Sequence, residues 1–238
     1  MREKPHLLLL PGMICDEAFW RAQVEALAGI CEPAVMNFGV LDSFEAMARS
    51  VLADAPARFA LAGHSMGGRV ALEIMRLAPE RVLKLALAAT DYRGHESAET
   101  RAAEAARRDM MLAKATADGM DGFGRMWLSQ ILPPYRLADE ALAADVLAMM
   151  ARQPVEALAA QTRAALMRGD HSKLLATISC PTLICAGDDD PLRPVAIHQR
   201  MAEQIAGARL VVIERCGHMV AMERPEAVTA ALENWLLA

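Results

Sequence analysis

One serine in the sequence lies between glycines where an apolar run meets a helical pattern. Gly63-His64-Ser65-Met66-Gly67 fits G-x-S-x-G, a pattern in which a sharp strand-to-helix turn exposes the serine Oγ above a sheet. The apolar residues before it predict a strand, and the apolar spacing after it predicts a helix. Glycines let the two elements approach without Cβ clashes. Ser65 is therefore the candidate nucleophile, and a serine that merely caps a helix is the alternative interpretation.

A serine hydroxyl attacks a carbonyl carbon only when a base removes its proton, and a carboxylate usually orients that base. Cys216-Gly217-His218 follows the last predicted strand, at the sheet edge where open α/β sheets bind ligands. His218 is therefore the candidate base. His64 adjoins the serine, but we expect it to point elsewhere because the turn is tight. The other histidines lack a comparable setting: His6, His95, His171 and His198.

Three adjacent aspartates follow the strand that precedes the last one. Gly187-Asp188-Asp189-Asp190-Pro191 supplies a carboxylate in the chain order Ser, Asp, His, which this type of strand-turn-helix serine site requires. One of the three is expected to orient His218. The other two are expected to be solvated turn residues.

Two backbone N–H groups must also face the negative charge that develops during acyl transfer. Met66, directly after the nucleophile, is expected to supply one of them at the helix N-terminus. Met13 is expected to supply the other from the loop after the first strand, where Gly12 permits close approach. An ordinary glycine turn has a similar sequence, so this assignment depends on the serine and the histidine.

Strands and helices alternate on both sides of a long helical segment. Strands are predicted at 6–10, 34–38, 59–62, 82–89, 182–186 and 210–214. Helices are predicted at 16–28, from a capping box at 42–45 to 55, at 65–78, at 195–206 and from 225 to the end. This alternation predicts a parallel sheet covered by helices on both faces. Residues 93–173 contain no strand pattern and predict an insertion of about four helices.

Composition excludes several classes of function. The 238 residues are 54% hydrophobic with a net charge of −5, so the chain can bury a large core and lacks the basic excess typical of nucleic-acid partners. No apolar run is long enough for a membrane span, and no signal peptide follows the charged N-terminal segment. Five cysteines without a CxxC pair predict reduced thiols and a cytoplasmic location.

In four stretches the chain resembles the small single-chain members of the α/β-hydrolase superfamily: "LLLLPGMICDEAFW", "LAGHSMGGRVALEIMRLAPERVLKLAL", "CPTLICAGDDDPLRP" and "CGHMVAMERPEAVTAALENWL". The resemblance implies an α/β fold with a mostly parallel sheet of about six strands. It implies a hydrolase core at 1–92 and 174–238 and a helical cap, or lid, at 93–173. The family usually has His-Gly in the first loop, where this chain has Pro11-Gly12, so the contacts that stabilise the loop must differ.

The same resemblance implies a role for each candidate residue. Ser65 is the nucleophile, His218 the base, and Met13 and Met66 the oxyanion donors. Asp190 is the acid, because it lies three residues after Gly187 and four before Pro194, as in the G-x-x-D-x-x-x-P spacing of related hydrolases. Pro191 also restricts the backbone of Asp190 to extended conformations.

The expected activity is hydrolysis of a small-molecule carboxylic ester or lactone through an acyl-enzyme, with no cofactor and no metal. Thioesterases, carbon–carbon bond hydrolases and perhydrolases share this layout and remain alternatives. A binding protein without activity is the alternative outside enzymes. Members with an aspartate nucleophile are disfavoured because position 65 is serine. Neither a nucleic acid nor a membrane is an expected partner, and the sequence does not predict an oligomeric state.

The insertion is expected to govern the choice of substrate. Met126 and Trp127 are its candidate pocket residues, since thioether and aromatic side chains can line an apolar acyl pocket. Packing among the lid helices is the alternative for its methionines. Four arginines, Arg125, Arg152, Arg163 and Arg168, are either carboxylate-binding groups or charges on solvated helix faces.

Overall fold

Six parallel strands form a single sheet in the computed structural model, which describes residues 4–238. The strands are β1 His6–Leu10, β2 Glu32–Val35, β3 Phe59–His64, β4 Val82–Ala88, β5 Thr182–Gly187 and β6 Arg209–Ile213. Their order is β2-β1-β3-β4-β5-β6, so the order reverses between β1 and β3. Met1, Arg2 and Glu3, which belong to the charged N-terminal segment and to the predicted core range, lie outside the described residues. The predicted parallel α/β sheet is confirmed.

Eleven α-helices connect or cover these strands within residues 4–238: α1 Arg21–Leu27, α2 Phe44–Asp54, α3 Met66–Leu77, α4 Ala98–Ile131, α5 Pro134–Leu137, α6 Glu140–Ala151, α7 Val155–Leu166, α8 Ser172–Leu175, α9 Val195–Gln204, α10 Val220–Glu223 and α11 Pro225–Leu237. Short 3-10 helices occupy Glu17–Trp20 and Pro79–Arg81. The short helix α10 was not predicted, because four residues are too few to show a helical period.

Both faces of the sheet are buried, which explains the uninterrupted apolar run in β1. Leu7 and Leu9 pack in one core with side chains of α1 and α11, whereas Leu8 and Leu10 pack in a second core with α2, α3 and α9. Because side chains alternate along a strand, a strand covered on both faces must be apolar at every position.

Two local predictions are wrong. The second strand is Glu32–Val35 and not 34–38, because its limits follow the pairing with β1 from His6 to Leu9. The capping box predicted at 42–45 does not form either. Ser43 Oγ caps α2 by accepting from the N–H of Ala46 at 3.2 Å, and alanine has no side-chain acceptor to complete the reciprocal pair.

The segment between β4 and β5 contains five helices, α4 to α8, instead of about four. Helix α4 is further divided by a kink at Gly119, whose φ of 71° and ψ of 179° are not helical. Prolines start two of the other helices, since α5 begins at Pro134 and Pro154 is the N-cap of α7. Among residues 4–238, no helix has both the length and the apolar character needed to cross a bilayer.

Candidate active site

Ser65 lies at a strained turn between β3 and α3. Its φ of 50° and ψ of −111° fall in a region that residues other than glycine rarely adopt. Its N–H donates to Ala88 O at 2.9 Å, and its carbonyl accepts from Thr90 Oγ1 at 2.7 Å. These bonds connect the turn to the end of β4, and they stabilise the strained backbone conformation of Ser65.

The glycines on either side of this turn are required for close packing. A Cβ on Gly63 would collide with the carbonyl of Gly67, and a Cβ on Gly67 would collide with the carbonyl of Leu10. Strand β3, helix α3 and the end of β1 therefore meet at a distance that any side chain would increase. Leu10 also pairs with Gly63 in the β1–β3 register, so the loop after β1 starts beside the turn that carries Ser65.

The three residues predicted to work together lie within hydrogen-bonding distance. His218 Nε2 lies 2.9 Å from Ser65 Oγ, and His218 Nδ1 lies 2.7 Å from Asp190 Oδ2. His218 and Asp190 are both buried. Because Nδ1–H donates to the carboxylate, Nε2 carries the lone pair and can accept a hydrogen bond from Ser65 Oγ.

Both oxygens of Asp190 have partners. Oδ1 accepts from the N–H groups of Leu192 at 2.8 Å and Arg193 at 2.9 Å, while Oδ2 faces His218. Burial raises the pKa of Asp190, but the interactions with His218 and these two amides outweigh burial and hold its pKa below the ordinary value. The carboxylate is therefore ionised at neutral pH and is fixed in one orientation.

The other two aspartates of the run are not simply solvated, as the sequence suggested. Both are exposed, but Asp188 Oδ1 accepts from Cys216 N at 3.0 Å and Asp189 Oδ2 accepts from Tyr135 Oη at 2.8 Å. The turn after β5 is therefore bound to the loop before His218 and to helix α5.

The two predicted oxyanion donors, Met13 and Met66, line the same pocket as Ser65 and His218. Within residues 4–238, neither N–H donates a hydrogen bond. Met66 is the first residue of α3, where the backbone N–H has no acceptor within the helix. Both N–H groups are therefore free to donate to a ligand.

The loop of Met13 is held by a residue that the sequence did not single out. Ile14, with a φ of 49°, donates its N–H to Gln161 Oε1 at 2.7 Å, and Gln161 Nε2 donates to Gly39 O at 3.1 Å. Gln161 is buried on α7. This contact stabilises a first loop that has Pro11-Gly12 in place of the usual His-Gly. The only sequence signal for Gln161 was a polar residue on an apolar helix face.

His64 forms no hydrogen bond with Ser65 Oγ among the described residues, but it contacts the main chain of His218. Its Nε2 lies 2.9 Å from the carbonyl oxygen of His218, and its ring stacks on Phe19 with the centroids 4.1 Å apart. Burial lowers the pKa of His64 to about 3. His64 is therefore neutral, and its Nε2–H donates a hydrogen bond to the carbonyl of His218.

Side chains from the insertion complete the pocket above Ser65. Trp127, Ile131 and Met150 line it from α4 and α6. Met126, predicted beside Trp127, does not line it and is 36% exposed. Adjacent residues of a helix differ by about 100° in direction, and here Trp127 faces the pocket while Met126 faces the surface.

Of the four arginines noted in the insertion, only Arg168 lines this pocket. Arg125 is exposed, Arg152 pairs with Asp16 at 2.9 Å, and Arg163 pairs with Asp42 at 3.5 Å. Sequence reasoning missed four others that line it: Arg69, Arg107, Arg108 and Arg193. For Arg69 the available signal was a charged residue one turn after Ser65, within the apolar first half of the helix. Among residues 4–238, no cluster of three or more His, Cys, Asp or Glu side chains is arranged so that it could hold a metal ion.

Comparisons with known proteins agree with this architecture. The model of the alpha/beta hydrolase family matches residues 7–231. The pimeloyl-acyl-carrier-protein methyl ester esterase of Nitrosomonas europaea is 24% identical over 238 residues, which cover 96% of this chain and 94% of that relative.

Two solved structures superimpose closely on this one. A malate-bound thermophilic esterase from Thermogutta terrifontis has a TM-score of 0.86 and 26% identity, over 99% of this chain and 90% of the esterase. The enol-lactonase from Burkholderia xenovorans LB400 shares the fold, with a TM-score of 0.85 and 23% identity over 100% and 93% of the two chains. From the family model, which spans nearly the whole sequence, we conclude that this chain belongs to the alpha/beta hydrolase family of enzymes.

Proposed function

We propose that this enzyme hydrolyses a small carboxylic ester or lactone through an acyl-enzyme on Ser65. The observation that carries the proposal is the continuous contact from Ser65 Oγ through His218 to Asp190, with distances of 2.9 and 2.7 Å. The two similar proteins named as esterases, at 24% and 26% identity, support the same reaction class.

In the proposed first half-reaction, His218 Nε2 removes the proton of Ser65 while Oγ attacks the carbonyl carbon of the substrate. The resulting oxyanion accepts hydrogen bonds from the N–H groups of Met13 and Met66. Collapse of this intermediate breaks the bond to the leaving alkoxide, which takes the proton from His218. The acyl group remains on Ser65, and the alcohol departs; in a lactone the alcohol stays attached to the acyl chain.

In the second half-reaction, His218 removes a proton from water, and the hydroxide attacks the acyl carbon. The new tetrahedral intermediate expels Ser65 Oγ, which recovers its proton from His218, and the carboxylic acid is released. Asp190 remains ionised throughout and stabilises the positive imidazole ring. The lowered pKa of His64 supports this assignment, because it keeps a second positive charge away from that ring.

We further propose that residues 93–173 act as a lid on a core formed by 1–92 and 174–238. The lid covers Ser65 with Trp127, Ile131 and Met150, and it excludes water from the developing charges. The N–H of His218 donates to the carbonyl of Ile131 at 3.0 Å, a contact that supports a lid closed directly onto the catalytic loop.

The proposal is tested by labelling with a fluorophosphonate and by a panel of short esters, lactones and thioesters. The expected result is one covalent adduct on Ser65 in the intact mass and turnover of at least one ester or lactone. Ser65→Ala should lose both the adduct and turnover while it keeps the wild-type melting temperature. Turnover of esters by Ser65→Ala near the wild-type rate would contradict the proposal. Turnover of thioesters alone would mean that the substrate is a thioester and not an ester or lactone.

A further inference from the structure

The pocket above Ser65 carries an excess of positive charge. Five of its lining residues are arginines: Arg69, Arg107, Arg108, Arg168 and Arg193. Among the residues of 4–238 that line it, none is aspartate or glutamate. Arginine is rarely buried unless its charge is paired, so the partner of each guanidinium indicates which charges are already compensated.

Two of the five arginines share one carboxylate. Glu104 lies 2.8 Å from Arg108 Nη2 and 2.6 Å from Arg168 Nη1. Burial raises the pKa of Glu104, but the two arginines outweigh burial and lower its pKa to about 2. Arg107 is placed over the ring of Trp127, at 5.7 Å from its centroid. These three side chains therefore have partners within the protein.

Arg69 and Arg193 have only backbone carbonyls as partners. Arg69 Nη2 donates to Arg93 O at 2.8 Å, and Arg193 Nη1 donates to Leu192 O at 2.8 Å. Within residues 4–238, neither guanidinium forms an ion pair. The nearby carboxylate of Asp91 is engaged by Arg93 at 3.0 Å.

Arg69, which lines the pocket, also has a donor without an acceptor. Its side chain is only 5% exposed, and its Nη1 is buried without an acceptor among the described residues. A buried N–H group without a partner is costly and uncommon in folded proteins. Burial lowers the pKa of Arg69 to about 9; attraction to Asp91 opposes this lowering, and the neighbouring Arg193 and Arg168 add to it. At this pKa the guanidinium is still charged at neutral pH.

The two arginines reach the pocket from the two elements that hold the catalytic residues. Arg69 lies one turn after Ser65 on α3, and its N–H donates to the carbonyl of Ser65 at 3.3 Å. The backbone N–H of Arg193 holds the carboxylate of Asp190 at 2.9 Å. An anion between the two guanidinium groups would therefore occupy the same cavity as the reacting carbonyl.

We propose that the substrate is a small ester or lactone that carries a free carboxylate, and that Arg69 and Arg193 bind this carboxylate. The inference rests on the function proposed above and specifies its substrate class. A carboxylate supplies acceptors for the unused Nη1 of Arg69 and for the fork of Arg193. Its charge also compensates two guanidinium groups that form no ion pair within the described residues, which a neutral ester cannot do.

The test compares matched substrates. Monomethyl succinate, glutarate and adipate are each paired with a neutral methyl keto ester of the same length, and kcat/KM is measured for every ester. The wild type should prefer the anionic member by about tenfold or more, since each bidentate contact is charge-assisted. Arg69→Met and Arg193→Met should each reduce that preference by about tenfold. Arg125→Met, an exposed arginine of the lid, is the matched control and should retain the wild-type preference.

Two further measurements keep the test decisive. Sodium succinate should inhibit hydrolysis of the neutral ester competitively, and sodium chloride of equal ionic strength should not. Stronger inhibition by sodium phosphate than by succinate would overturn the assignment to a carboxylate. Because Arg69 is buried, Arg69→Met can fail to fold. In that case the half-buried Arg193, whose backbone contact to Asp190 is unaffected by the substitution, decides the result.

The outcomes separate the two proposals. Labelling of Ser65 and turnover of neutral esters, without a preference for anionic esters, would overturn only the anionic substrate. Absence of both labelling and ester turnover would overturn the proposed function itself. An anionic preference that both arginine variants retain would show that the recognition site lies elsewhere.

Discussion

His64 Nε2 donates a hydrogen bond to the backbone carbonyl of His218 at 2.9 Å. The side chain next to Ser65 in sequence therefore holds the main chain of His218, the proposed base. Its ring lies directly under the first loop, since a Cβ on Gly12 would approach His64 Nδ1 to 2.8 Å. One buried imidazole thus contacts both the loop of Met13, a proposed oxyanion donor, and the loop of His218.

We predict that His64→Phe impairs catalysis without removing an ionisation from the pH profile. Phenylalanine preserves the stacking on Phe19 but leaves the carbonyl of His218 without its donor, at a cost of about 1–3 kcal/mol in the free energy of unfolding. Since the pKa of His64 is lowered to about 3, the acid limb of kcat/KM between pH 5 and 8 should keep its midpoint. A midpoint that moves in His64→Phe would mean that His64 titrates in this range.

The three aspartates after β5 should differ sharply in their contribution to rate. Asp190→Asn should lower kcat by on the order of 10⁴-fold, because an amide no longer holds the required tautomer of His218. Asp188→Asn and Asp189→Asn keep an acceptor for Cys216 N and Tyr135 Oη, so their kcat should stay within about tenfold of wild type. Steady-state kinetics with one ester gives kcat for the three variants. A loss of activity in Asp189→Asn as large as that expected for Asp190→Asn would contradict the assignment of Asp190.

The residues of the lid that face the pocket should determine selectivity among acyl chains. Trp127→Ala and Met150→Ala enlarge the apolar part of the pocket. The kcat/KM should therefore rise for longer acyl groups relative to shorter ones. Met126→Ala is the control, because Met126 neighbours Trp127 but is 36% exposed and does not line the pocket. Equal changes across all chain lengths in Trp127→Ala would indicate a purely structural role.

Ionised Glu104 should stabilise the folded enzyme at neutral pH, and this contribution should be lost at acidic pH. Its folded pKa is lowered to about 2 from an ordinary 4.5. Its contribution is therefore complete above pH 4.5 and is lost as the pH falls towards 2. The shift corresponds to roughly 1–3 kcal/mol of unfolding free energy. Urea unfolding of Glu104→Gln at pH 7, 5 and 3 should show lower stability at pH 7 and a weaker decline in acid than wild type. Parallel curves for the two proteins would contradict the prediction.

The convergence of Ser65, His218 and Asp190 was predictable because each follows a strand in a parallel sheet, and the carboxyl ends of parallel strands share one edge. What the sequence could not predict depends on contacts between distant residues. Gln161 and Ile14 are 147 positions apart, and no local pattern connects them. The limits of β2 depend on its partner strand, and the direction of Met126 depends on the rotation of α4, which helical spacing alone leaves open.

The N–H of Ile14 donates to Gln161, and the N–H of His218 donates to Ile131; these two bonds have a consequence for protein engineering. The segment that covers the pocket is not an interchangeable module, because it supplies hydrogen-bond partners to the loops of Ile14 and His218. A chimera with the corresponding segment of another family member would lose the glutamine that compensates for Pro11-Gly12. Such a graft needs the first loop of the donor protein as well, so the two regions must be exchanged as one unit.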